Sequence, residues 1–191
     1  MKNLKVVFFG TPDFAAKSLE AIHQSHHEIV GVVTVADKPS GRGQKLTESP
    51  VKKYAVENNL PVFQPEKLRN PEFLEEMRKL EADVFVVVAF RMMPKVLFEM
   101  PKLGTFNLHA SLLPDYRGAA PINFAIINGE EKTGATTFFI NEKIDEGNIL
   151  LQEELPISPD ENAGSLHDRL MEMGAKLVVK TLDGLAENSI T

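Results

Sequence analysis

Asn107, His109 and Asp145 are the residues of this 191-residue chain whose types and spacing suit chemistry at a carbonyl. Asn107 and His109 stand two apart and close an apolar run, Gly104-Thr105-Phe106. In a strand the period of two puts both side chains on one face. An amide can donate to an oxygen that is becoming an oxyanion, and an imidazole can move protons. Asp145 lies in Lys-Ile-Asp-Glu-Gly, just after a β-rich run at 134–141, where its carboxylate could orient and charge the imidazole. The three together suit acyl or formyl transfer without a covalent enzyme intermediate. Singly they say much less, since a lone His at a strand end is more often structural and Asp before Glu-Gly is a common turn residue. Ser111 is no alternative nucleophile, because it lacks the flanking glycines of a nucleophile elbow.

The elements that must position these groups follow from apolar patterning. Strand-like and helix-like segments alternate, which predicts an α/β fold, a Rossmann-like, mostly parallel sheet flanked by helices. Residues 4–9 form a continuous apolar run suited to a strand buried on both faces. Thr11 is expected to cap the next helix, with Pro12 at its first position and Asp13 complementing the dipole. Strands are expected at 28–34, 61–63, 83–90 and 104–109, and helices at 50–58, 71–80 and 94–100. Past the Asn-x-His segment the pattern changes. A helix at 121–128, two strands at 134–141 and 148–155, and a long amphipathic helix at 163–185 give the sheet a mixed C-terminal extension. Leu166, Leu170, Met173, Leu177 and Leu182 form that helix's apolar stripe.

Hydrophobic residues make up 43% and charged ones 25%, as in an ordinary globular domain. There is no cysteine, hence no disulfide framework and no thiolate metal site, which fits a cytoplasmic protein. No run approaches the roughly 20 apolar residues of a membrane span. A net charge of −6 argues against a general nucleic-acid binder. Between 34 and 53, however, five positive residues face two negative ones, a local +3, with Lys38, Arg42 and Lys45 among them. On composition alone that is a solvated, flexible loop. His23 and His27 are four apart and could share a metal, but no third ligand is in sight, and both read as surface residues. No metal is expected.

Asn107-Leu108-His109, then Ser111-Leu112-Leu113-Pro114 and Asp145, resemble the 10-formyltetrahydrofolate-dependent formyltransferases. Within them the likeness to the methionyl-tRNA formyltransferases is closer and runs from about Val6 to Leu185. It includes Phe9-Gly10-Thr11-Pro12-Asp13-Phe14, Gly41-Arg42-Gly43, Ser49-Pro50-Val51-Lys52, Leu60-Pro61-Val62-Phe63-Gln64-Pro65 and Arg117-Gly118-Ala119-Ala120-Pro121-Ile122. Glycinamide ribonucleotide formyltransferases carry a Gly/Ser-rich phosphate loop after the first strand. Residues 9–13 offer one Gly, a Pro without an amide donor and an Asp that repels phosphate, which argues against that relative.

The resemblance implies catalytic roles for Asn107, His109 and Asp145. It implies a folate pocket lined by Phe90, Arg91 and Met92 and by Ser111, Leu112, Leu113 and Pro114. Relatives commonly have Tyr-Gly in place of Phe90-Arg91, so Arg91 is expected to alter the pocket rim. The resemblance further implies 10-formyltetrahydrofolate as donor and initiator methionyl-tRNA as acceptor. Lys38, Arg42 and Lys45, on an irregular and mobile loop, would contact the tRNA. The reading divides the chain into a catalytic domain at 1–186 and a linker remnant at 187–191. It expects a C-terminal OB-like domain to lie outside these residues, and a monomer. A sugar-nucleotide N-formyltransferase, or a catalytically silent folate- or nucleotide-binding module, are the alternatives.

Overall fold

The structure is a computed structural model and describes residues 2–190. Its main sheet has seven strands in the order β5-β2-β1-β6-β7-β8-β9. They are β1 (Lys5–Gly10), β2 (Glu28–Val33), β5 (Val62–Phe63), β6 (Val84–Val88), β7 (Thr105–His109), β8 (Lys132–Phe139) and β9 (Ile149–Pro156). The first five pair in parallel, and β8 and β9 add antiparallel pairs at one edge. The expected parallel core with a mixed C-terminal extension is what the chain adopts. A separate antiparallel pair, β3 (Lys38–Ser40) and β4 (Lys45–Thr47), projects from the segment after β2. The helices are α1 (Asp13–His23), α2 (Pro50–Glu57), α3 (Pro71–Lys79), α4 (Lys95–Phe98), α5 (Pro121–Ile127) and α6 (Ala163–Ala186).

Alternation of side chains in the central strands splits the core in two. Val84, Val86 and Val88 of β6 pack on one face with Phe14, Leu19, Leu166 and Leu170 from α1 and α6. Phe85 and Val87 pack on the other with Phe73, Met77, Leu97 and Phe98 from α3 and α4. Each fully buried side chain of this kind is worth about 1.5–3 kcal/mol relative to exposure. Phe106 and Leu108 of β7 belong to the α1/α6 face, so the intervening Asn107 and His109 point to the α3/α4 face. The order reverses at β1, with β2 on one side and β6 on the other, and a crevice opens at the carboxyl ends of the strands at such a switch point.

Local expectations were corrected in three places. Thr11 does not cap α1. Pro12 stands at the N-cap, with its carbonyl accepting the amides of Ala15 and Ala16 at 3.0 Å, while the Thr11 carbonyl accepts the Val51 amide at 3.3 Å. The loop after β2 is not irregular throughout. Ser40 and Thr47 hydroxyls pair across the β3–β4 hairpin, and its turn uses Gly41, Gly43 and Gln44 at positive φ. His27 is not a surface residue, because its side chain is wholly buried between Leu4 and Asp183. Met173 of the expected α6 stripe is half-buried and packs against the same core as Leu166 and Leu170. Beside it α6 packs tightly on β7 at Gly174, where a Cβ would meet Leu108 Cδ2 at 2.8 Å.

Residues 187–190 close α6. Asn188 adopts positive φ, its amide donates to Leu185, and the Ser189 amide donates to Gly184 at 2.9 Å. This is a Schellman stop with Asn in the glycine position. Thr191, the last residue of the expected linker remnant, lies outside the described residues. Among the described residues no helix is long and apolar enough to cross a membrane.

Candidate active site

Three segments meet at the carboxyl end of β7. The strand supplies Asn107 and His109. The loop between β8 and β9 supplies Asp145, and the loop between β7 and α5 laces the other two together. His109 and Asp145 are both mostly buried, with 9% and 12% of their side-chain surface exposed. His109 Nε2 lies 2.7 Å from the Tyr116 carbonyl. A carbonyl only accepts, so Nε2 carries hydrogen. That leaves Nδ1, 3.7 Å from Asp145 Oδ2, too far for a hydrogen bond but close enough for an ion pair with an imidazolium. Asp145 Oδ2 also accepts the Gly118 amide at 2.8 Å. Residues 115–120 therefore hold both partners, one through a carbonyl and the other through an amide.

Backbone strain is concentrated here. Tyr116, Ala120 and Asp145 all have φ between 51° and 55°, which is sparsely populated for residues other than glycine and clusters at functional sites. The Asp145 turn also depends on Gly147, where a Cβ would fall 1.5 Å from the Phe139 carbonyl oxygen. Tyr116 is anchored at its far end, where its hydroxyl donates to Glu130 at 2.7 Å and accepts from Asn128 at 3.0 Å. Asn107 has the opposite character. Its Oδ1 is buried without a hydrogen-bond partner. It lines a cavity of about 1460 Å³ together with His109 and Asp145. Phe90, Arg91 and Met92 of the expected folate pocket line the same cavity. Arg91 is turned sideways, donating to the carbonyls of Glu66 and Pro65 at 2.7 and 2.6 Å with its guanidinium over the Phe90 ring. It clamps two loops at the rim.

Ser111, Leu112, Leu113 and Pro114 are not among the residues lining this cavity, and the polar groups of Ser111 and Leu113 face into the protein. The Thr136 hydroxyl donates to the Ser111 carbonyl at 2.7 Å and accepts the Leu113 amide at 3.1 Å. Gln152 Nε2 donates to the Leu113 carbonyl at 2.8 Å, and the Ser111 hydroxyl donates to Asp115 at 2.6 Å. Thr136 is the β8 residue paired with His109, so this network braces the chain behind the imidazole. Lys38, Arg42 and Lys45 are all exposed on the hairpin, away from the cavity wall. The hairpin's base is pinned where Lys52 meets Asp37 at 2.5 Å and Gln64 donates to Asp37 at 2.8 Å. Those contacts hold the Asp37 carboxyl below the usual carboxylate range. Sequence reasoning missed the cavity residues Phe14, Ala163, Gly164 and His167, which have no local signature because the α1 and α6 ends meet only through the fold.

The sequence matches the formyl transferase family over residues 4–182. This chain belongs to that family. A methionyl-tRNA formyltransferase of Flavobacterium psychrophilum is 58% identical over 191 residues, which cover 100% of this chain and 60% of that protein. The chain spans about 60% of the length of the curated relatives it matches. Among solved structures, the phosphoribosylglycinamide formyltransferase of Anaplasma phagocytophilum superposes with a TM-score of 0.82 at 20% identity, covering 98% of this chain and 89% of that one. At that identity the likeness shows the formyl transferase fold alone. A sugar 3N-formyl transferase superposes with a TM-score of 0.71 at 25% identity, covering 100% of this chain and 66% of that one.

Proposed function

We propose that this chain transfers a formyl group from 10-formyltetrahydrofolate to the α-amino group of methionine on initiator tRNA, residues 1–186 forming the transfer unit. The observation that carries the chemistry is the convergence of Asn107, His109 and Asp145 on one cavity, with the histidine's Nδ1 facing Asp145. The acceptor rests on the 58% identity to a methionyl-tRNA formyltransferase, against 25% for the sugar enzyme and 20% for the glycinamide enzyme.

An α-amino group has an ordinary pKa of about 7.7–8.0, so a useful fraction is neutral near pH 7. Its nitrogen bonds to the formyl carbon, and the carbonyl electron pair moves to oxygen. Asn107 donates its amide hydrogens to that oxygen, and an imidazolium at His109 donates Nδ1–H to the same charge. Asp145 stands against the imidazolium and is itself held by Gly118. Collapse breaks the bond from carbon to the folate nitrogen. The folate nitrogen takes up one proton as the attacking amine loses one. The formyl group reaches the site already activated by the folate, and the chain's residues supply orientation and electrostatics.

In this reading the protein works in the cytoplasm as a monomer. Lys38, Arg42 and Lys45 face the tRNA, and the relatives' further length offers a second contact surface for it. The decisive experiment supplies labelled 10-formyltetrahydrofolate with methionyl initiator tRNA, a dTDP-linked amino sugar or glycinamide ribonucleotide. Label on the methionine amino group is the expected result. Label on the sugar alone would transfer the chain to the sugar enzymes, and folate binding without any transfer would make it a silent binding module.

A further inference from the structure

The cavity straddles the carboxyl edge of the sheet, and its two sides differ chemically. Asn107 and His109 face the α3/α4 side. The α1/α6 side is walled by Phe14, Ala163 and Gly164, which are apolar or small, and by one titratable side chain, His167. The reaction described above makes no use of His167. It stands just over a turn into α6 and meets Phe14 edge-on, with ring centroids 5.5 Å apart. Nδ1 lies 3.1 Å from Asp168 Oδ1. A carboxylate only accepts, so Nδ1 carries hydrogen, and in the neutral ring Nε2 then keeps its lone pair. Among the described residues no hydrogen bond or ion pair engages Nε2. The end of α6 is not the attraction, because Asn162 and Ser165 already close it with a reciprocal capping box.

We propose that His167 binds the acceptor substrate, Nε2 accepting a hydrogen bond from a hydroxyl or amino group at the aminoacyl-ribose end. Phe14 fixes the ring from one side and Asp168 fixes its tautomer. The acceptor then enters from the α1/α6 side while the formyl donor lies toward Asn107 and His109. No proton transfer or covalent step is assigned to His167, whose part is to bind the acceptor. The assignment rests on the acceptor named above.

The test compares wild type with His167→Phe and His167→Gln. Phe keeps the edge-on contact with Phe14 and removes Nε2. Gln places an acceptor oxygen at a similar reach. His167→Phe is expected to raise KM for methionyl-tRNA about tenfold, the upper end of one net hydrogen bond. Its kcat and its KM for 10-formyltetrahydrofolate should stay within about twofold, and Gln should recover most of the loss. Methionyl-tRNA ending in 2′-deoxyadenosine separates the two donor groups. If the ribose hydroxyl is the partner, the deoxy acceptor is already weak with wild type and no weaker with His167→Phe. If the amino group is the partner, His167→Phe loses tenfold on both acceptors. An unchanged acceptor KM in a variant with wild-type melting behaviour overturns the assignment, as does an equal loss toward folate and acceptor. Failure of wild type itself to formylate methionyl-tRNA sinks the proposed function instead, so the two failures are distinguishable.

Discussion

Two buried histidines stand beside a carboxylate at opposite edges of the same sheet. His27 precedes β2 at the amino edge of the parallel strands, and His109 ends β7 at the carboxyl edge. Both nitrogens of His27 are used by the protein. Leu4 N–H donates to Nδ1 at 3.1 Å, and Nε2–H donates to Asp183 at 2.8 Å. At His109 only Nε2 is used in this way, and Nδ1 faces its carboxylate from 3.7 Å at a cavity wall. Proximity to a carboxylate therefore does not make a histidine reactive. What sets His109 apart is that its Nδ1 stays outside the protein's own hydrogen bonds at the cavity wall that Asn107 and Asp145 also line. The same bookkeeping bears on His26, His27 and Asp183, whose ligand atoms lie close enough to suggest a cation. Leu4 occupies the Nδ1 lone pair, so the neutral His27 ring keeps its proton at Nε2, where a metal would have to bind.

The largest effects should come from the reactive end. His109→Ala is expected to lower formyl transfer by about 10²–10⁴, and Asn107→Ala by about 10²–10³. Single-turnover assays on folded protein would show it, and near wild-type turnover in either variant would break the contrast between the two histidines. Asp145→Asn keeps an oxygen for the Gly118 amide but removes the charge facing Nδ1. A loss of about 10² in rate with an altered pH–rate profile is expected. An unchanged profile would reject the pairing of His109 with Asp145.

The structural end should respond in stability and not in chemistry. His27→Ala leaves the Leu4 amide and Asp183 without their partner and should cost about 1–3 kcal/mol, with turnover per folded molecule unchanged. Burial is the main cause that pushes the His27 pKa below its ordinary value, and His26 beside it acts in the same direction, while Asp183 opposes them. The unfolded chain therefore binds more protons than the folded one in the interval below the ordinary histidine pKa of about 6.5. Stability contributed by neutral His27 is fully present above that pH and is lost as pH falls from it toward the folded value. Melting temperature measured from pH 7.5 to 5 should drop more steeply in wild type than in His27→Gln. Parallel curves would show that another group dominates.

The contrast also marks what the sequence could disclose. His109 was legible because Asn-x-His ends an apolar run, and the period of two is a local property. His27 was not, because its partners Leu4 and Asp183 lie 23 and 156 residues away and meet only when β1 and α6 close on each other. The parallel core was readable from continuous apolar strands such as 84–88. The β3–β4 hairpin was missed because its strands are three residues each and wholly exposed, with no apolar alternation to announce them. Ser111–Pro114 was close to the site in sequence, yet Thr136 and Gln152 on the neighbouring strands decide which way its polar groups face.

The smallest predicted effect concerns that hairpin, which lacks the lacing seen around both histidines. Its ion pair lies at the base, where Lys52 holds Asp37. At the tip Gly41 and Gly43 have φ of 74° and 94°, and a Cβ built at either would meet nothing within 4 Å. Arg42 between them is exposed and free to reach a phosphate. The chain carries −6 overall, so attraction to a polyanion must be local. Each phosphate neutralised by Lys or Arg contributes about 0.9 to the slope of log affinity against log salt. Arg42→Ala is expected to weaken tRNA binding about two- to fivefold, in keeping with the modest worth of an exposed charge, and to flatten the salt slope by about one. Binding of a folate analogue, at the far more enclosed Asn107 site, should not change. Titrating tRNA and the folate analogue separately at several salt concentrations reads both. An unaltered tRNA slope would make the hairpin a surface insertion, and a loss shared by the folate analogue would show that hairpin and cavity communicate.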